Sequence, residues 1–478
     1  MISTNWSDLL DQVNPNIAYD MFCDIFLRHY ENCFPAIKTK TRSHNSKPWL
    51  TRGLINSIRK KNKLYKKYLR CKSATSNSTY KKYKNKLSKI LIKAERAYYA
   101  NKFNSCRGNC KETWKALNQI LNKSKTQTFP DSIQIGDSTV TDNNKIAEEF
   151  NTYFTNIGSQ LAGKIPASIK HYTEYLPPMT EESFFIYPST KEEIELIVKN
   201  FDGHKSCGFD NISPKVIKAI VCDISEILCH IFNLSFRTGI VPVGLKTARV
   251  FPIYKGGAIE SLANYRPISV LPCLSKILER LMQKRLSNFL TKHNIINKRQ
   301  FGFREKHSTA MALNIIVDEI AKSLDSNDVT YGIFLDLAKA FDTVNHKILT
   351  GKLQHYGVRG VPSDWFNSYL SERKQTVMFK NSASSYMDVN CGVPQGSVLG
   401  RLLFIIYIND CSNISDVIDF VQFADDTNVF TSGKDPQALS NTVNSELVKL
   451  SNWFRDNKLS LNIEKTKFIY FSKRKKKN

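Results

Sequence analysis

The 478-residue sequence predicts an α+β fold. Three observations carry that expectation. Beyond residue 190, strand-like runs alternate with helical periodicity. The run YGIFLD, residues 331–336, reads as a strand buried on both faces that ends in a carboxylate, Asp336. The third is residues 419–430, 89 positions downstream at their acidic pair, where apolar residues flank Asp425 and Asp426 as in a hairpin with the pair at its turn.

Taken in order, the first residues, MISTNWSDLLDQVNP, have neither a basic start nor an apolar core, so no secretory signal is read. Residues 55–103 read as two basic helices. In the second, Tyr80, Tyr83, Leu87, Leu91, Ala94 and Tyr98 recur at steps of three and four with lysines between them. The stretch SATSNS, 73–78, is expected to link the pair into a hairpin. Residues 126–145 are polar and turn-rich and read as a linker. Thr190 and Glu193 form a capping-box pattern opening a helix. Residues 248–254 and 329–335 are strand-like, and 275–290 helical. The loop CGVPQGSVLG, 391–400, has three glycines and a proline, with Ser397 placed to cap the apolar helix LLFIIYI that follows. The final stretch, SKRKKKN, is a basic tail with nuclear-localisation character or simply an exposed end.

Net charge is +26, and residues 1–130 carry most of it, with 27 Lys and Arg against 7 Asp and Glu. Such an excess favours a polyanionic partner through counterion release. A membrane is not the expected partner, because the longest uninterrupted apolar run, 402–408, is far shorter than the roughly 20 residues of a spanning helix. Eleven cysteines without paired CxxC spacing predict a reduced, intracellular chain, and Cys106 and Cys110 read as structural thiols.

The chemistry lies in the carboxylates. Magnesium prefers oxygen ligands, one or two carboxylates completed by phosphates and waters. Carboxylates from separate strands that share two such ions are what nucleotidyl transfer requires, and this role is assigned to Asp336 and Asp425, with Asp426 assisting. The helix opening after the glycine-rich loop offers backbone donors to phosphate, and Gln395 adds an amide for substrate.

A family resemblance covers about 260 residues. In order, KSCGFDNISPKVIK (205–218), VFPIYKGG (250–257), NYRPISVLPCLSKILERLM (264–282), QFGFREKHST (300–309), FLDLAKAFDTVNHKIL (334–349), GVPQGSVLG, FADD and LSLNIEKTK (459–467) resemble the successive blocks of reverse transcriptases from non-LTR retrotransposons, the Jockey-like LINE elements above all. Residues 47–69 also look like the stretch between endonuclease and polymerase in those elements. The resemblance implies a right-hand polymerase fold with palm and fingers, preceded by a basic helical region, 1–125. A fingers extension or linker, 126–231, and a polymerase domain, 232–478, follow.

The same resemblance implies RNA-directed DNA polymerase activity with an RNA template, a DNA primer and dNTPs. Two Mg²⁺ ions, or Mn²⁺, would sit on Asp336, Asp425 and Asp426, and Lys465 would protonate the leaving pyrophosphate. Lys255 and Arg266 would grip the triphosphate, and Arg304 would lie near template and substrate. Phe341 would sit under the sugar and exclude a 2′ hydroxyl, and Gln395 would contact nucleotide and template base. Residence in nucleus and cytoplasm is implied as well. Two departures stand out. Arg401 occupies a position where the family most often has proline, and the sequence stops where the family's thumb is expected. An endonuclease constellation is also not found, so a truncated copy with reduced activity is expected. A catalytically inactive, nucleic-acid-binding remnant is the competing reading.

Overall fold

The computed structural model describes residues 4–35, 47–121 and 129–473. Most of the basic tail, three residues of the expected 126–145 linker, and the boundary expected at 125 lie outside them. The described chain is mixed helix and strand and divides into two compact units, residues 35–128 and all the rest.

The smaller unit is a helical hairpin, Arg52–Cys71 and Ala74–Ser105, followed by Cys110–Ile120. Thr51 caps the first helix by accepting the N–H of Leu54, and Lys72 ends it in a left-handed conformation, φ 43°. Ser73 then accepts the N–H of Ser76 and starts the second helix. Most of SATSNS is therefore helical, and the break occupies two residues. Tyr65 and Tyr68 meet Tyr80 across the hairpin, ring centroids 5.0 and 6.5 Å apart. Cys106 is buried and Cys110 exposed, both free.

Among the described residues the larger unit holds a four-stranded sheet, a five-stranded sheet and a small two-stranded hairpin. The four-stranded sheet runs Lys467–Phe471, Val329–Leu335, Asp426–Gly433, Asp419–Phe423, all antiparallel. The central strand Val329–Leu335 is rich in β-branched and aromatic residues, and edge-on ring contacts Phe334–Phe430 and Tyr331–Tyr470 join it to its neighbours. In the second sheet Tyr265–Val270 pairs antiparallel with Thr247–Tyr254, which pairs parallel with Arg373–Phe379. Leu399–Ile408 is buried at every residue but Arg401, with His346–His355 and Cys273–Lys292 packed on it.

Pro214–Thr238 is long and apolar enough to cross a membrane, yet more than half of its most apolar window is buried inside the protein, against Lys191–Lys199, Val361–Leu370 and Pro15–Cys33. The last of these belongs to the larger unit. Asn14 caps it, Pro15 occupies its first turn, and Ala18, Tyr19, Phe22 and Phe26 recur on one face and are buried. The expected 1–125 region is thus split: residues up to 34 share the main core, into which that apolar face is buried. The approach is close at Gly244, where a Cβ would stand 2.5 Å from Tyr19 Cε1. Gly244→Ala is expected to cost about 1–3 kcal/mol by overpacking, read as a lower urea midpoint. An unchanged midpoint would mean that the helix does not dock there.

Two further expectations change. Residues 133–140 form a small hairpin, Ile133–Ile135 with Ser138–Val140, whose Ile133 is fully buried, so part of the expected linker is structural. Thr190 does cap Lys191–Lys199 by accepting the N–H of Glu193, but the Glu193 carboxylate turns away to Arg285, 2.9 Å, and Lys284, 3.0 Å. A buried guanidinium demands a carboxylate more strongly than a helix end does.

Candidate active site

The acidic residues converge through strand register. Leu335 pairs with Thr427, so one further step along both strands sets Asp336 across from Asp426. Asp426 also pairs with Phe423, which leaves Ala424 and Asp425 as the two-residue turn, Ala424 at φ 56°. Past the strand, Ala338 N–H donates to Ser460 O at 2.9 Å and Asn462 N–H to Asp336 O at 2.8 Å. That stitching carries the turn at Asn462 to the carboxylates, and Lys465 Nζ reaches 3.7 Å from Asp336 Oδ2.

Electrostatics fit a clustered site. Burial pushes the Asp425 carboxyl above the ordinary range and the charge of Asp336 adds to this, while Arg266 and Lys255 pull it back. Burial, then Asp425 and Asp336, raise Asp426. On the basic side, burial followed by the charges of Arg266 and Lys465 lowers the Lys255 ammonium, opposed by Asp336. Lys255, Arg266 and Lys465 therefore face the acidic group together. Arg266 comes from the exposed face of Tyr265–Val270, opposite Ile253, and Lys255 follows the partner strand directly.

Among the described residues no three His, Cys, Asp or Glu side chains already close around a common point. The donor chemistry nevertheless fits a hard divalent cation. Three carboxylates repel one another at the end of a sheet, and a cation between them would offset both that repulsion and their partial burial.

The glycine-rich loop sits beside the 341–346 segment. Val393 N–H donates to Phe341 O, Gly392 N–H to Val344 O, and Ser269 N–H to Gln395 O. At Gly396, φ 128°, a Cβ would lie 2.4 Å from Ser269 O, so only glycine allows this approach. Ser397 accepts the N–H of Gly400 as expected, and Val398 N–H donates to the buried Glu279, which also accepts from Tyr369. Gln395 Nε2 donates to both carboxylate oxygens of Asp342, at 2.9 and 3.0 Å. Burial pushes that carboxyl up to about 6, against the pull of Gln395 and Lys339.

Phe341 is half-buried, stacked on Phe404 at 4.6 Å and edge-on to Phe303 at 6.2 Å. The Arg401 guanidinium lies over the Phe303 ring, 5.5 Å from its centroid, so this cation rests on an aromatic face of the same cluster. Arg304 is occupied by backbone: Nη1 donates to Asn297 O and Gln300 O. Sequence reasoning passed over Asp342, Glu279 and Lys339, whose Nζ donates to Ala263 O and Tyr265 O. Asp342 and Lys339 sit inside the quoted FLDLAKAFDTVNHKIL block, which was the only signal available.

Residues 253–477 match the family Reverse transcriptase (RNA-dependent DNA polymerase). The chain belongs to the reverse transcriptases of non-LTR retrotransposons. It is 31% identical over 336 residues to "Probable RNA-directed DNA polymerase from transposon BS" of Drosophila melanogaster, an alignment covering 67% of this chain and 36% of that protein. To "RNA-directed DNA polymerase from mobile element jockey" it is 30% identical in D. melanogaster, covering 63% and 34%, and 28% in D. funebris, covering 87% and 46%. The reverse transcriptase chain therefore spans between a third and a half of the length of these relatives.

Proposed function

We propose that this reverse transcriptase extends a DNA primer on an RNA template by adding dNTPs at a site built on Asp336, Asp425 and Asp426. The observation that carries the reading is the strand register that sets residue 336 across from 426, with the basic trio Lys255, Arg266 and Lys465 facing them. In this reading the four-stranded sheet is the palm, and the sheet holding Thr247–Tyr254 and Tyr265–Val270 belongs to the fingers.

The three carboxylates would hold two Mg²⁺ ions, with Mn²⁺ as the substitute. When bound, such ions activate the primer 3′ hydroxyl and stabilise the leaving pyrophosphate. The remaining work falls to side chains. Lys255 and Arg266 bind the triphosphate, one as a point charge and the other as a fork. Lys465 gives a proton to the departing pyrophosphate, beside a Lys255 ammonium lowered first by burial and then by the charges of Arg266 and Lys465. Phe341, held flat by Phe404, sits under the sugar, and Arg304 steadies the segment next to the template. The basic hairpin 52–105 contributes salt-sensitive RNA contact.

Asp342 sets the orientation of Gln395. An ionised carboxylate only accepts, so the amide nitrogen must face it and the amide oxygen is presented outward as an acceptor. Below about pH 6 the carboxyl carries a proton and can donate, so that constraint is lost. KM for dNTP is therefore expected to rise as pH falls through about 6, and Asp342→Asn is expected to remove this component of the profile. A profile identical to wild type would overturn the coupling.

The function itself is tested by oligo(dT)-primed extension on poly(rA) with purified chain. Salt-sensitive RNA binding without incorporation at any divalent ion concentration would favour the non-catalytic reading instead.

A further inference from the structure

The acidic turn is held from outside its own hairpin. Ala424 is 3% exposed in a left-handed conformation, and its N–H needs an acceptor inside the protein. That acceptor is Gln300, 124 residues away, whose Oε1 takes the N–H of Ala424 at 3.0 Å and the N–H of Gly302 at 2.8 Å. Both partners are backbone donors, so the amide oxygen must occupy this position. Gln300 is 1% exposed, and its Nε2 finds no partner among the described residues. An interior amide with an unpaired donor is costly, so the acceptor is the half of this side chain that matters.

The surrounding backbone is arranged to bring this oxygen in. Gln300 bridges Gln422 in parallel register, with Phe301 N–H donating to Gln422 O at 2.8 Å and Gln422 N–H to Arg299 O at 2.9 Å. At Gly302 a Cβ would lie 2.1 Å from Ala424 N, so this approach requires glycine. The guanidinium of Arg304 holds the Gln300 carbonyl from the other side.

We infer that Gln300 is a positioning residue for the acidic turn: its amide oxygen fixes the left-handed backbone at Ala424 and thereby aims the Asp425 and Asp426 carboxylates at a divalent cation. Gly302 and Arg304 keep it in place. The inference rests on the acidic cluster being the metal site of the proposed polymerase. It adds a sequence-distant side chain to that site, one that acts through the backbone of Ala424.

The test is Mn²⁺ binding to the full chain, followed by the electron paramagnetic resonance signal of the free ion, with melting temperature recorded alongside. Wild type, Asp425→Asn, Gln300→Met and Gln300→Glu are compared. Gln300→Met keeps the length and loses the acceptor; Gln300→Glu keeps an oxygen in its place. The site lost in Asp425→Asn is expected to weaken at least tenfold in Gln300→Met and to stay within threefold of wild type in Gln300→Glu. Should Gln300→Met prove too unstable, Gln300→Asn, one methylene too short to reach both N–H groups, is expected to show the same weakening. Wild-type affinity in the acceptor-deficient variant overturns the inference alone, and so does equal loss in Gln300→Glu. Equal binding by wild type and Asp425→Asn overturns the metal-site reading, and this inference with it.

Discussion

Asp425→Asn is expected to reduce primer extension by about 10³-fold while raising the melting temperature measured without divalent ions. The first effect follows from removing one carboxylate from a shared cation site, worth several kcal/mol of transition-state stabilisation, at about 1.4 kcal/mol per tenfold in rate. The second follows from linkage. Burial and Asp336 raise the folded-state pKa of Asp425 above its unfolded value. Its contribution to stability is therefore fully present at low pH and is lost as pH rises through the folded value, so at neutral pH the ionised group is a cost. An uncharged amide removes that cost. Opposite signs in activity and stability are the signature of a carboxylate kept for function against the preference of the fold. Parallel losses would instead mean that the side chain holds the structure together.

The largest stability effect is expected at a different acid. Asp410 and Lys352 are both fully buried and bonded to each other at 2.5 Å. Lys352 Nζ also donates to Tyr407 O at 2.6 Å, and Trp453 Nε1 donates to Asp410 Oδ2 at 3.0 Å. The ammonium lies 5.1 Å from both the Tyr407 and Trp453 rings. Three helices, His346–His355, Leu399–Ile408 and Pro436–Asp456, meet at this point. Asp410→Ala leaves a buried ammonium without its counter-charge and is expected to cost about 3–5 kcal/mol. Lys352→Met combined with Asp410→Leu removes both charges and is expected to be much less costly than the two single changes added together. Chemical denaturation of Asp410→Ala, of Lys352→Met and Asp410→Leu singly, and of their combination measures this. Strict additivity would show that the pair is not coupled.

Much of the fold was legible because it is written locally. The run 329–335 is β-branched and aromatic, and the structure forms Val329–Leu335; the helix expected at 275–290 appears as Cys273–Lys292. The hairpin at 419–430 was visible from apolar residues on both sides of an acidic turn. Convergence of Asp336 with Asp425 and Asp426 was anticipated from carboxylates at two strand ends and from the family resemblance, but not from register, since register between strands some 90 residues apart has no local signal. What could not be read depends on such distant partners. Glu193 looks like a capping residue until Arg285 is folded against it, and Gln300 looks like one polar residue in an aromatic loop until Ala424 presents its N–H. The serine-rich stretch 73–78 has the composition of a linker, yet a single N-cap serine suffices to start a helix there. The apolar face of Pro15–Cys33 was overlooked because the lysine excess of 1–130 dominated the reading of that region.

The claim everything else depends on is that carboxylates from two separate strands share a divalent ion. Replacing Mg²⁺ by Fe²⁺ in the presence of ascorbate and peroxide generates radicals that cut the backbone beside the bound metal. Cleavage is expected in two stretches at once, around residue 336 and around residue 425, competed away by Mg²⁺ and lost in Asp425→Asn. Cleavage at only one of these stretches, or a pattern unchanged by that substitution, would contradict the account.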